Sequence, residues 1–532
     1  MNAIVVPLLV PFVTALLLVL LNGWLRLERA VAVVATVALA AWSFWLLWVV
    51  DTEGIQATVI GGWQAPWGIA FVVDRLAAIL LCLSMSIGTV VTVYTLWTVT
   101  EQQQRYFFYP LMQLLLLGVN WSFLTGDIFN LFVAYEVMLM ASYGMMIVGA
   151  SKPQIRQTFK YMAINSIGST LFVVACGVIY ATIGTLNMAD LAVRTELLTG
   201  TRAAMVTSGS MVLLMVFAMK AATFPLIYWL PDSYPVVPAG ANGYFAGLLT
   251  KVGVYSLLRV YVMLFRQEGA GFALDVLLAL SGFTMLLGVL GAMCQGEIRR
   301  ILAWHSVSQV GYMVMGIGLA GSADPRVVEL AIVGTIVFVV HHGIVKSSLF
   351  LIGGIAERVS GSQTLERMGG LLTLAPGVAA LFLVSALSLA GMPPFSGFLS
   401  KLLLVRAGLA GGQVAVVAVS IVTSFLTLYS MMKIWSYGFW GALARERAVA
   451  GYRGLMAPAA VLAIATVLLG AWAQPFLSLA SRAAASLTDP REYIEAVMNA
   501  HTDTRQALSR DDGTEVAEMN ERMAEPRRGV VR

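Results

Sequence analysis

Charge is scarce in this chain. Only 11% of its 532 residues are Asp, Glu, Lys or Arg, against about 25% in soluble domains. Hydrophobic residues make up 59%, and the mean hydropathy is +0.84. No soluble fold could hide that much apolar surface, so the chain reads as an all-α polytopic membrane protein. Cysteine is nearly missing too. Cys82, Cys176 and Cys294 lie far apart in apolar segments, with no CxxC or Cys/His cluster. That excludes iron–sulfur, zinc and disulfide frameworks, and no metal or cofactor is expected. The net charge of +5 does not imply nucleic acid. The basic residues sit in short loops and form no aromatic-interleaved patch. GIGLAG at 316–321 matches GxGxxG but follows an apolar run with no βαβ unit around it, so nucleotide binding is excluded.

What is present is a series of long apolar runs, each near the length of about 20 residues that crosses a bilayer. Fourteen fall at 2–22, 29–50, 70–98, 107–124, 127–149, 158–182, 205–228, 240–266, 272–294, 301–320, 327–354, 372–404, 413–439 and 454–478. The first lacks a preceding basic region and reads as a retained helix, not a signal peptide. Alternate loops hold Arg26 and Arg29; Arg105; Lys152, Arg156 and Lys160; Arg299 and Arg300; Arg358 and Arg367; and Arg445, Arg447 and Arg453. The opposite loops are poorer in positive charge. The positive-inside rule makes the first set cytoplasmic and puts both termini on the outer face of a bacterial cytoplasmic membrane. Residues 481–532 read as a polar C-terminal tail, exposed from His501 onward.

Six ionisable residues lie near the middle of these runs: Glu136, Lys220, Lys251, His342, Lys346 and Lys401. Charge inside a membrane is rare and most often marks an ion or proton path. Two of the lysines flank helix breakers. Pro225 and Pro231 follow Lys220; Gly391, Pro393, Pro394 and Gly397 precede Lys401. Proline removes a backbone donor, and freed backbone at membrane depth is tolerated where it is buried in protein or lines a wet cavity. Paired interrupted spans are the sequence mark of a transport site in inverted-repeat carriers. Lysine spacing fits two halves: Lys220 and Lys401 are 181 apart, Lys251 and Lys433 are 182 apart. Coincidence among several lysines is the rival explanation. On the two-half reading, residues 1–106 form three leading helices, 107–266 and 267–440 two five-helix units of opposite topology, and 441–480 a last helix.

A buried lysine loses ammonium hydration, while a nearby carboxylate favours its charge. A Lys–Glu pair is therefore a switch, and Glu136 is expected to pair with Lys220, although a static ion pair would look the same. Lys251 takes the next place, too deep for easy snorkelling. His342 and Lys346 are four apart and share a helix face; histidine relays protons near neutral pH. His341 points elsewhere on the helix and is a further candidate for proton translocation, with a packed donor as the rival reading. Lys433 is nearer a helix end, where snorkelling competes. Asp127 suits a helix start as well as ion uptake.

Mid-span Glu136, KAATFPLIYWLPDSYP, FAGLLTKVGVY, RRILAWHSVSQVGYM, HHGIVKSSLFLIGG and LAGMPPFSGFLSK together resemble the antiporter-like subunits shared by Mrp-type multisubunit Na+/H+ antiporters and respiratory complex I. The resemblance covers about residues 1–480. Within that family the chain is most similar to D subunits, since A subunits are much longer and one complex I subunit has glutamate at the place of Lys401. The resemblance implies fourteen helices, two inverted five-helix repeats and discontinuous helices 7 and 12. It implies a hydrophilic axis through Glu136, Lys220, Lys251, the His342/Lys346 region and Lys401. It also implies partners of the Mrp A, B, C, E, F and G type. The expected function is proton translocation within a Na+/H+ antiporter. The alternative is a proton-pumping subunit of a complex I-like or hydrogenase redox complex. A third reading, a structural scaffold, fits the intact set of ionisable residues poorly. No carboxylate-rich Na+ pocket is visible, so protons are expected here and sodium elsewhere in the complex.

Overall fold

The computed structural model describes residues 3–61, 63–442 and 451–500. The stretch expected to be exposed from His501 onward lies outside the described residues. Every one of the fourteen apolar runs contains a helix. Among the described residues, eleven helices are long and apolar enough to cross a membrane: α1 (Ala3–Leu20), α2 (Leu25–Glu53), α3 (Arg75–Thr98), α5 (Ile128–Ile147), α6 (Lys152–Ile183), α7 (Gly200–Ala221), α8 (Ala239–Leu264), α9 (Gly271–Met293), α11 (Pro325–Ser360), α14 (Val414–Trp440) and α15 (Arg453–Ala471). The other runs hold α4 (Phe108–Leu124), α10 (Ile298–Leu319), and the two halves α12 (Pro376–Ala390) and α13 (Ser396–Ala410). Helix α10 is too polar to count among the eleven. It carries Arg299, Arg300, His305, Ser306, Ser308 and Gln309, and the rest of the protein buries it almost completely.

Local chemistry sets the helix starts. Asp74, Asp127, Ser151 and Asp324 each accept a backbone N–H of the first turn. Such caps stabilise by about 0.5–2 kcal/mol each. Asp127 thus takes the helix-start role, holding the N–H of Asn130 at 2.8 Å.

The third run does not begin as a helix. Ala70–Val73 form strand β2, antiparallel to β1 (Gln56–Val59), and α3 starts only after the Asp74 cap. The AFVV of β2 is buried on both faces, so its hydropathy merges with that of the following helix. The first part of the polar tail, from residue 481 to 500, is largely helical. Helix α16 (Gln474–Thr488) and a further helical stretch, 491–500, dock on the bundle. Tyr493 and Val497 are buried there. Arg482 pairs with Asp51 at 2.9 Å, and Asp51 also meets Arg75. The composition is polar because these helices are amphipathic, not because they are loose.

Geometry recurs along the chain. Gly118 packs on the backbone of Met138, and Gly288 on that of Ser308; an added Cβ would lie 2.5 and 2.4 Å from the respective amide nitrogens. Both partners are 170 residues on. The chain leaves α7 and α12 through left-handed residues, Ala222 (φ 62°) and Gly391 (φ 90°), 169 apart. Helices α8 and α14 both end in six-residue π-helical turns, Arg259–Leu264 and Trp435–Trp440, 176 apart. None of these offsets is 181. The lysine spacing differs because Lys220 lies two residues before Ala222 and Lys401 ten after Gly391.

Candidate functional site

Both helix breaks occur where the prolines are. Helix α7 stops at Ala221, and a short helix, Trp229–Ser233, resumes beyond Pro225. The α12–α13 gap contains Pro393 and Pro394. Around these ends the six mid-span ionisable residues are brought into one buried band, with Glu136 half-buried at one extreme and Lys401 at the other. Their partners are not those expected.

Glu136 and Lys220 form no direct ion pair. Helix α6 stands between them. The Lys220 ammonium donates to Asn165 Oδ1 at 2.9 Å, and the Ser169 hydroxyl donates to Glu136. Asn165 and Ser169 are four apart, on one face of α6. The Asn165 amide is aimed by its own Nδ2, which donates to Tyr161 O at 2.8 Å. Carboxylate and ammonium are thus held on separate polar groups of the same helix. Direct contact would require Lys220 to let go of Asn165.

Lys220 also lies over the ring of Tyr135, 5.7 Å from its centroid. The Tyr135 hydroxyl bonds Val252 O at 3.2 Å and Ser256 Oγ at 2.8 Å on α8. Those partners are on the turns that follow Lys251. The Lys251 ammonium donates to Ala246 O of its own helix, in a π-helical turn, Phe245–Leu249. Such turns appear often at functional sites. Helix α11 brings Lys346, His342 and His341 beside it. Lys346 donates to Leu302 O at 2.9 Å on α10. His342 is fully buried, and neither ring nitrogen has a hydrogen-bond partner. His341 Nδ1 bonds Ser396 Oγ at 2.8 Å, which joins Thr466 and through it Ser388. Through Nδ1, His341 is therefore engaged with both sides of the α12–α13 break, while its Nε2 has no hydrogen-bond partner.

Lys401 reaches back across that break. Its ammonium donates to Leu389 O at 3.1 Å and Ala390 O at 3.0 Å, the last residues of α12. Counting 169 residues from Lys220, the offset between the breaks, arrives at Leu389. The Lys401 head group therefore lies at the last residues of α12, whereas Lys220 is itself the penultimate residue of α7 and its head group turns to α6. It lies 4.9 Å from the centroid of Tyr312, whose hydroxyl bonds Ser420 O and, at 2.7 Å, Ser424 Oγ on α14. This repeats the Tyr135 arrangement. Among the described residues no carboxylate forms an ion pair with Lys401. Its counter-charge is the negative end of the α12 dipole, a placement that favours a cation by about 0.3–2 kcal/mol. Lys433 caps a helix in the same way, donating to Met293 O at 2.9 Å and Gln295 O at 2.8 Å at the end of α9. It is a helix cap rather than a freely snorkelling chain.

The geometry is that of a membrane-embedded set of cations, and likeness to known proteins decides whose set it is. The family described as NADH:quinone oxidoreductase/Mrp antiporter, TM, matches residues 125–427. The D-type component of the Na+/H+ antiporter of Alkalihalophilus pseudofirmus is 42% identical over 499 residues, 93% of this chain and 99% of that protein. The chain belongs to the D-subunit family of Mrp-type Na+/H+ antiporters. This is a family of multi-pass transporter subunits, not of enzymes. A chain in the Mrp complex from Dietzia sp. DQ12-45-1b superposes with a TM-score of 0.85 at 32% identity, covering 94% of this chain and 100% of that one. A chain of respiratory complex I from Thermus thermophilus has the same fold, with a TM-score of 0.78 at 22% identity, covering 92% and 99%.

Against the family background, four residues stand out that the sequence reading passed over. Asn165 and Ser169 are two. His305 is the third: it lies in RRILAWHSVSQVGYM, is fully buried, and has no partner on either ring nitrogen. The fourth is Arg259, two turns beyond Lys251. It makes a two-pronged pair with Asp74, Nη1–Oδ2 at 2.6 Å and Nη2–Oδ1 at 2.8 Å, with both side chains buried. A charged residue late in a strongly apolar run was the available signal for Arg259.

Proposed function

We propose that this chain is the proton-carrying membrane subunit of a Na+/H+ antiporter assembled from several membrane proteins. The proton path runs from Glu136 through Lys220, Lys251 and the His342/Lys346 pair to Lys401. Lys433, His341 and Asp127 support helix ends beside it. Sodium is carried elsewhere in the complex, by partners of the Mrp A, B, C, E, F and G type. The α12 and α13 halves count as one crossing, which makes fourteen. Helices α4–α8 and α9–α14 are two five-helix units of opposite topology, with helices 7 and 12 discontinuous. Helices α1–α3 precede these units, α15 follows them, and both termini face outward. The common 169–176 residue offsets of glycine contacts, breaks and π turns support the two units.

The observation that carries the reading is the way the lysines are held. Lys251, Lys346 and Lys401 donate to main-chain carbonyls and Lys220 to an amide. A neutral oxygen accepts from ammonium or amine alike, so a proton can leave without stranding a carboxylate. Glu136 stands one helix away from Lys220. Bringing the two together favours the charged lysine, and parting them favours release.

The test is made in the whole complex, in inverted membrane vesicles. Lys220→Ala and Glu136→Ala are expected to abolish exchange while the subunits still copurify. Exchange retained in either variant overturns the relay. Small hydrophobic subunits without flavin or iron are expected to travel with the chain. Iron–sulfur or NADH-binding subunits would transfer the same relay to a redox-driven pump.

A further inference from the structure

Between Lys346 and Lys401 the path has a gap, and α10 runs along it. Four residues of α10 lie at i, i+3, i+7 and i+10, which is one face of a helix. Leu302 gives its carbonyl to Lys346. Tyr312 lies under Lys401. His305 and Gln309 fall between them. From Leu302 to Tyr312 the helix rises about 15 Å, at roughly 1.5 Å per residue. That is too far for one direct proton transfer.

The facing column on α11 is Lys346, His342 and Phe338, again at helical spacing. Phe338 stacks on Tyr312 with centroids 5.3 Å apart and on His342 at 6.3 Å. The two columns enclose a strip of polar atoms without protein partners: both ring nitrogens of His305, both of His342, and Gln309 Oε1. On α14, across from Gln309, the Thr423 and Ser430 hydroxyls are likewise unpartnered, while Gln309 Nε2 reaches Thr427 Oγ1 at 3.5 Å. Buried polar atoms in native proteins are nearly always satisfied. Where protein supplies no partner, water making about three hydrogen bonds does so.

We infer that His305 is a proton-carrying station between Lys346 and Lys401, linked to both by water held against His305, Gln309, Thr423 and Ser430. The inference rests on the relay proposed above and adds a residue to it. An imidazole can take a proton on one nitrogen and give one up from the other. An unengaged pair of ring nitrogens is what this transfer needs. His341, tied to Ser396, lacks that freedom on one side. In the register of the glycine contacts, the residue matching Glu136 is Ser306, next to His305. The second half therefore carries an imidazole where the first carries its carboxylate, displaced by one position.

The experiment measures Na+/H+ exchange by the intact complex in vesicles, with Lys220→Ala as the reference loss. His305→Gln keeps the size and a hydrogen-bonding amide but cannot hold a proton. Exchange is expected to fall about 100-fold, the lower end of what positioned acid–base groups supply, with subunits copurifying as in wild type. Exchange within twofold of wild type in His305→Gln, with Lys220→Ala inactive, overturns this inference and leaves the relay standing. Active Lys220→Ala overturns the relay itself. Gln309→Leu fills the same strip without touching the imidazole and guards against misfolding of the first variant. Slowed exchange supports the wet strip; unchanged exchange refutes it.

Discussion

The Asp74–Arg259 pair offers the sharpest energetic test of the structure. Both side chains are nearly inaccessible, 2% and 3% exposed, and the pairing is two-pronged. Arg259 also donates Nε to Tyr255 Oη at 3.2 Å and lies 5.3 Å from the centroids of Tyr255 and Tyr493. Asp74 Oδ1 separately caps α3 through Ala77 N at 2.8 Å. Asp74→Asn keeps an Oδ1 for the cap but removes the charge and replaces the acceptor of Arg259 Nη1 with an amide donor, leaving the guanidinium buried and uncompensated. Losing one partner of a buried pair costs about 3–5 kcal/mol. Asp74→Ala loses the cap as well, adding about 1 kcal/mol. Arg259→Met strands the carboxylate and costs about the same as Asp74→Asn. The double variant Asp74→Asn/Arg259→Met removes both charges and should recover most of the loss, because no uncompensated buried charge remains. The assay is equilibrium unfolding of the purified complex in mixed micelles, titrated with a denaturing detergent. The reasoning fails if Asp74→Asn lies within about 1 kcal/mol of wild type, or if the double variant is no more stable than either single one.

Two further outcomes follow from contacts within the bundle. Asn165→Leu removes the amide that holds the Lys220 ammonium; a hydrogen bond to a charged group contributes about 1.5–3 kcal/mol, so exchange should drop about 10- to 100-fold in vesicle assays while assembly persists. Gly288→Ala forces a Cβ to within 2.4 Å of Ser308 N, whereas Gly177→Ala meets nothing within 4 Å; overpacking costs about 1–3 kcal/mol, so the first variant should lower the yield of assembled complex and the second should leave it unchanged.

The membrane-spanning helices and both breaks could be read from the sequence because their causes are local. Some twenty apolar residues make a span, and Pro225 and Pro393–Pro394 end helices by removing backbone donors. The partners could not be read, because they depend on distances between helices. Glu136 and Lys220 differ in charge and invite pairing, yet Asn165 and Ser169, ordinary small polar residues in a long helix, stand between them. The lysine spacing is 181, whereas the two matching glycine contacts are 170 apart. The two numbers differ because one lysine precedes its break and the other follows. Strand β2 was hidden by its own hydropathy, and residues 481–500 by their polarity. Composition reports how much of a helix is apolar, not whether the apolar part finds a surface.

The two lysines at the breaks have counter-charges of different kinds. Near Lys220 stands a carboxylate, which a single proton can neutralise. Lys401 faces the carbonyls of Leu389 and Ala390. A row of peptide dipoles has no conjugate acid within reach of physiological pH. Chemistry can therefore dismiss the partner of the first lysine, but only displacement can dismiss that of the second. On the proposed proton path, one end then responds to protonation of a neighbour. The other responds to any shift of α12 against α13, so a neighbouring protein that leans on that broken helix would hold a mechanical handle on the proton.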